Sequence, residues 1–137
     1  MITNSEFCKS WMGEFRKLLH RFADHDYQER NWVRAEDKRI CDCYTESICF
    51  FDDVFDPAQR RKDYLRCGAS VDEIAAIQGF WDELSAFEDS IGVSLPNDKA
   101  VINHPRWARI EKTASELIQL LDQGLFAKRF GDCNKSE

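Results

Sequence analysis

Ser70-Val71-Asp72-Glu73-Ile74-Ala75-Ala76-Ile77-Gln78-Gly79-Phe80-Trp81-Asp82-Glu83-Leu84-Ser85-Ala86-Phe87-Glu88-Asp89-Ser90-Ile91 is the stretch whose reading decides the fold class. Ile74, Ile77, Trp81, Leu84, Phe87 and Ile91 recur in steps of three and four. That is the period of a helix with one buried stripe. Ser70 and Glu73 form a capping box, in which each side chain satisfies the other residue's backbone N–H. The spacing predicts a helix from Val71 to Ile91, closed by Gly92.

The same period extends in both directions. Phe7, Trp11, Phe15, Leu18, Leu19 and Phe22 mark a helix from about Ser5 to Ala23, with Asn4 as its cap. Val33, Ile40, Tyr44, Ile48, Phe51 and Phe55 mark a second pattern over residues 27–55, polar at first and apolar later. Pro57 ends it. Asp56 then caps a short helix from Pro57 to Cys67, which Gly68 closes in a left-handed conformation. Residues 93–101 read as the longest loop. Asn103 or His104 caps a last helix, with Pro105 in its first turn and a stripe of Trp107, Ile110, Ala114, Leu117, Ile118 and Leu121. Gly124 stops it, and residues 126–130 add a turn. No strand hairpin or repeat is visible. The expectation is an all-α, single-domain bundle of about five helices over residues 1–130, with a frayed tail at 131–137.

The 137 residues suit one domain and one core. Four Trp, three Tyr and ten Phe make the chain too aromatic for disorder. The charge is uneven. Residues 50–100 hold five basic and eleven acidic groups, which is the whole of the net −6. Such a balance argues against nucleic acid or anionic lipid as the main ligand. No run of 18 apolar residues is present. Asn4, Ser5, Glu6 and Lys9 stand where an export signal would be apolar, so the expected compartment is the cytoplasm and the six cysteines are expected as thiols.

Gly68 to Asp98 contains no Lys or Arg and seven carboxylates. On a wheel of about 100° per residue, Asp72, Asp82, Glu83 and Asp89 fall opposite the apolar stripe, among Ala75, Ala76, Gly79, Ala86 and Ser90. That face is acidic and nearly flat. Small residues let another chain approach, and the carboxylates can meet its Lys or Arg directly. A solvated face explains most such patterns equally well. Glu88 and Asp89 are less easily explained, because carboxylates near a helix C-terminus cost roughly 0.3–1 kcal/mol each. Asp52 and Asp53 add a second acidic cluster beside Asp56. The candidate partner-binding set is therefore Asp52, Asp53, Asp72, Asp82, Glu83, Glu88 and Asp89.

No reaction is legible. Cys41 and Cys43 lie in a CxC arrangement, and two residues two apart on a helix point about 200° apart, a poor start for zinc. His20 and Asp24 form an i,i+4 His/carboxylate pair. Neither a GxSxG turn nor a phosphate-cradling glycine loop occurs. The expectation is no enzyme, no metal and no cofactor.

A small acidic all-helical chain of this kind resembles bacterial immunity proteins of contact-dependent growth inhibition. The segments Asp52-Asp53-Val54-Phe55-Asp56-Pro57 and Asn103-His104-Pro105-Arg106-Trp107 are reminiscent of them. The resemblance implies stoichiometric neutralisation of a cognate, basic, nuclease-like toxin domain. A helical adaptor or regulatory subunit would use the same surface logic.

Overall fold

The computed structural model describes residues 3–36, 39, 42–91 and 97–127. Helix α1 (Asn4–Ala23) is capped one residue earlier than expected. Thr3, in extended conformation, accepts the Glu6 N–H at 3.1 Å, and the Glu6 carboxylate accepts the Thr3 N–H at 3.3 Å. The predicted stripe of α1 is buried, joined by Cys8 and Met12, except for Phe7 at its edge.

The expected second helix is broken. Helix α2 (His25–Gln28) is capped by Asp24, whose carboxylate accepts the Tyr27 N–H at 3.0 Å. It widens into a π-helical turn over Glu29–Val33 and stops where Ala35 takes a left-handed φ of 49°. Arg34, Ala35 and Glu36 are exposed, so no apolar face carries the helix onward. Among the described residues helix resumes at α3 (Tyr44–Phe50), where the Cys43 sulfur caps the Glu46 N–H at 3.4 Å. Cys43 is thus a cap and not a mid-helix residue, while Cys41 lies outside the described residues.

α3 also widens into a π-helical turn, Phe51–Phe55, whose end is held by three side chains. The carbonyls of Asp53, Val54 and Phe55 accept from Arg60 Nη2 (2.9 Å), Trp11 Nε1 (3.2 Å) and Tyr64 Oη (2.7 Å). Carbonyls at a helix end have no partner within their own helix, and Pro57 brings no N–H. Asp56 accepts the Ala58 N–H at 2.9 Å and turns the chain, so α4 (Arg61–Arg66) is shorter than the expected 57–67. Gly68 adopts the expected left-handed conformation, with φ 96°. Cys8 and Cys67, both fully buried, are disulfide-bonded with Cα atoms 5.3 Å apart. This corrects the expectation of thiols throughout: α1 and the end of α4 bring two distant cysteines to bonding distance.

Helix α5 (Val71–Ile91) has the predicted bounds. Its buried row runs Ile77, Phe80, Leu84, Phe87 and Ile91, and Trp81 is only half-buried. Ile74 is buried as well, so the predicted stripe holds except at Trp81, whose place Phe80 takes in the same steps of three and four. Part of the expected loop at 93–101 is helix α6 (Asp98–Ile102), capped by Asn97 on the Ala100 N–H at 3.0 Å. Gly92 and Pro96 lie outside the described residues. Helix α7 (Trp107–Asp122) starts later than expected, because residues 103–106 form a turn in which His104 Nδ1 accepts the Arg106 N–H at 3.1 Å. All six predicted stripe residues of α7 are buried. A further helical turn begins at Leu125. The expected turn through Phe130 and the tail at 131–137 extend outside the described residues.

The chain is a single all-α domain, without a strand among the described residues. α1 packs on α7, and α7 on α5. Trp107 sits at the centre, its ring 5.2 Å from Phe87, 5.7 Å from Tyr44, 6.0 Å from Trp32 and 6.4 Å from Phe22. Each such ring contributes roughly 2–3 kcal/mol by burial. None of the described helices is long and apolar enough to cross a membrane.

Candidate functional site

The acidic residues do not form one free ridge. Glu83 is held at home: its carboxylate takes Arg109 Nε at 3.0 Å and Thr113 Oγ1 at 2.6 Å, both from α7. Asp82 is exposed and accepts the Gln78 amide at 2.9 Å. Asp72 is exposed in the first turn of α5, where the helix dipole favours it. Asp53 is exposed, and its carbonyl binds Arg60.

The remaining members converge elsewhere. Asp52, on the π-helical turn after α3, and Glu88, near the end of α5, both line a cleft of about 390 Å³. Asp98, from the start of α6, lines it too, with Ile48, Ile91 and Val101 as apolar lining. Ile48, Asp52 and Glu88 also line a smaller hollow of about 180 Å³, with Trp81, Ser85 and Asp89. Among the described residues, none that lines either is basic.

Tyr44 organises the cleft. Its hydroxyl donates to Glu88 Oε1 at 2.7 Å, and its backbone N–H donates to Asp98 Oδ2 at 3.3 Å. One residue at the N-terminus of α3 thereby orients carboxylates from α5 and α6. Burial and the neighbouring Glu88 push the Tyr44 hydroxyl well above its ordinary pKa, so it stays a donor. Burial, followed by the charges of Glu88, Asp56 and Asp53, raises the Asp52 pKa. Burial also raises that of Asp98, against the opposing Tyr44 N–H bond. Asp52 and Asp98 are partly buried among like charges, and the charge of a cation would offset that repulsion.

Sequence reading had Asp52, Glu88 and Asp89 among its acidic candidates but did not bring Asp52 and Glu88 together in one cleft. It left out Asp98 as a site residue and treated Tyr44 as core alone. The acidic run to Asp98 was the available signal. It also left Asp42 without a role. That carboxylate takes Tyr27 Oη and Trp32 Nε1, both at 2.8 Å, and Ser47 Oγ at 2.9 Å, tying α2 and its π-helical turn to α3. With burial as the larger cause, Asp42 helps raise the Tyr27 pKa to about 12. Among the described residues no group of three or more His, Cys, Asp or Glu side chains is placed to hold a metal ion. His25 Nδ1 lies 2.8 Å from Glu111 of α7. Asp24, four residues after His20, accepts the Tyr27 N–H as the cap of α2.

A family model described as a domain of unknown function, DUF7945, matches residues 8–125. The chain belongs to the DUF7945 family. The matched span includes both bonded cysteines, Tyr44 and all three cleft carboxylates. No curated protein and no solved structure matches the chain.

Proposed function

We propose that this DUF7945 chain is a stoichiometric inhibitor, not an enzyme: an immunity protein that neutralises a basic toxin domain by taking one of its cationic side chains into the Tyr44 cleft. The observation that carries this reading is that Asp52, Glu88 and Asp98 line one cleft with Ile48, Ile91 and Val101, and that none of its described lining residues is basic. A lysine or arginine can lay its aliphatic stem along Ile48, Ile91 and Val101 and set its charge among the carboxylates. Such a buried anchor gives tightness. The exposed Asp72, Asp82 and Asp89 supply a field that speeds encounter, with k_on up to ~10⁸–10⁹ M⁻¹s⁻¹ at low salt.

The test is co-expression with the product of the gene directly upstream, followed by co-purification and growth rescue. A variant carrying Asp52→Lys and Asp98→Lys, checked for its fold by circular dichroism, loses binding and rescue, whereas Asp72→Lys only slows association at low salt. Unchanged affinity in the double variant sinks the cleft assignment. Binding without rescue leaves an adaptor in place of an inhibitor.

A further inference from the structure

The disulfide lies one helical turn from the residues that hold the cleft wall. Trp11 follows Cys8 by three positions on α1, and Tyr64 precedes Cys67 by three on α4. Their rings pack with centroids 4.7 Å apart. Their polar tips clasp consecutive carbonyls, Val54 from Trp11 and Phe55 from Tyr64. Asp52 stands on that same π-helical turn. The bond therefore fixes the spacing of the two helices that grip the Asp52 segment.

We propose that Cys8–Cys67 is a redox latch: formed, it locks the Trp11/Tyr64 clasp and holds Asp52 in the cleft; reduced, it frees the π-helical turn and the cleft loses one wall. The oxidant is a small-molecule disulfide. One S–S bond forms between Cys8 and Cys67 as the reagent's S–S bond breaks; two electrons pass to the reagent, and the two thiol protons end on its two new thiols. Disulfides are transient in the cytoplasm and persist in oxidising compartments, so the state of this pair reports its surroundings. Both cysteines are fully buried, so exchange requires α1 and α4 to part locally, at the level of the clasp.

The experiment poises the full chain in oxidised or reduced glutathione and follows amide hydrogen exchange. Reduction speeds exchange at Asp52–Phe55 at least tenfold more than in the middle of α7. Coupling is reciprocal. Tyr64→Phe, which keeps both cysteines, therefore speeds native-state reduction of the bond by dithiothreitol at least fivefold, while Gly124→Ala, which loosens the fold elsewhere, does not. This second measurement serves if the reduced chain unfolds. A protein whose mass shows no bond in oxidised glutathione, equal exchange in both states, or an unchanged reduction rate in Tyr64→Phe overturns the latch. None of these readings involves the toxin, so they stand apart from the test of the cleft.

Discussion

Trp107 donates its indole N–H to the side-chain oxygen of Gln28, 79 positions away in the chain, at 2.8 Å. Gln28 is fully buried, and its amide nitrogen donates to the carbonyls of Arg21 (2.8 Å) and Phe22 (3.0 Å) at the end of α1. One amide thus closes α1 and fixes the central tryptophan at the start of α7. Every polar atom of the trio is satisfied, and this lets them lie in the core.

Gln28→Ala leaves the indole N–H and two carbonyls without these partners and opens a cavity. The expected loss is on the order of 3–4 kcal/mol. Urea unfolding followed by tryptophan fluorescence measures it. A loss under about 1 kcal/mol would mean that water replaces the amide.

Two glycines are expected to respond with opposite signs. Glu73 is buried, and its carboxylate takes the Ser70 N–H at 2.8 Å and the Leu125 N–H at 2.6 Å. A Cβ at Gly124 would overlap Glu73 Oε2. A carboxylate on a free arm would swing aside cheaply, but this one is held by two backbone donors. Gly124→Ala should cost about 1–3 kcal/mol. A Cβ at Gly79, mid-helix on α5, meets nothing within 4 Å. Gly79→Ala should gain about 0.5–1 kcal/mol through helix propensity alone. Paired thermal melts of the two variants decide it.

Asp52 makes stability depend on pH. Its folded-state pKa is raised, so its contribution to stability is fully present below the ordinary carboxylate range and is lost as pH rises through the raised value. Asn imitates the protonated form. Asp52→Asn should therefore be more stable than the parent at pH 7, on the order of 0.5 kcal/mol, and indistinguishable from it below about pH 4. Partner binding should weaken in the same variant. Urea midpoints at both pH values, beside a binding assay, separate the two effects. A variant less stable at pH 7 would show that the carboxylate is well satisfied in the fold.

Arg109 and Glu83 pair across α7 and α5, but the Arg109 side chain is 78% exposed. A double-mutant cycle on this pair should give a coupling below about 1 kcal/mol that fades in 1 M salt. Thr113→Val removes a hydroxyl 2.6 Å from the same carboxylate and should cost about 1 kcal/mol at any salt. Coupling that persists in high salt would identify Arg109 as structural.

Much of α1, α5 and α7 was legible because each buries one stripe along its whole length, so the 3.6-residue period survives in the sequence. The capping box at Ser70 and Glu73 and the left-handed Gly68 were legible for a related reason: both are local hydrogen-bond solutions that few residues provide. The stretch 27–55 was not. Its two π-helical turns shift the period, and its break depends on Ala35 and on Asp42 gathering donors from Tyr27, Trp32 and Ser47. No period records that gathering.

Local order in the chain thus determined the helical class, the long helices and the acidic character of the middle segment. Tertiary structure alone decided which carboxylates face a common space: Glu83 was drawn to Arg109, while Asp52, Glu88 and Asp98 were brought around Tyr44. It also decided which cysteines meet, since Cys8 and Cys67 are 59 positions apart. A helix period is written by neighbours three and four residues apart, whereas a cleft or a disulfide is set by how whole helices pack, and packing depends on the shapes of all their buried faces together.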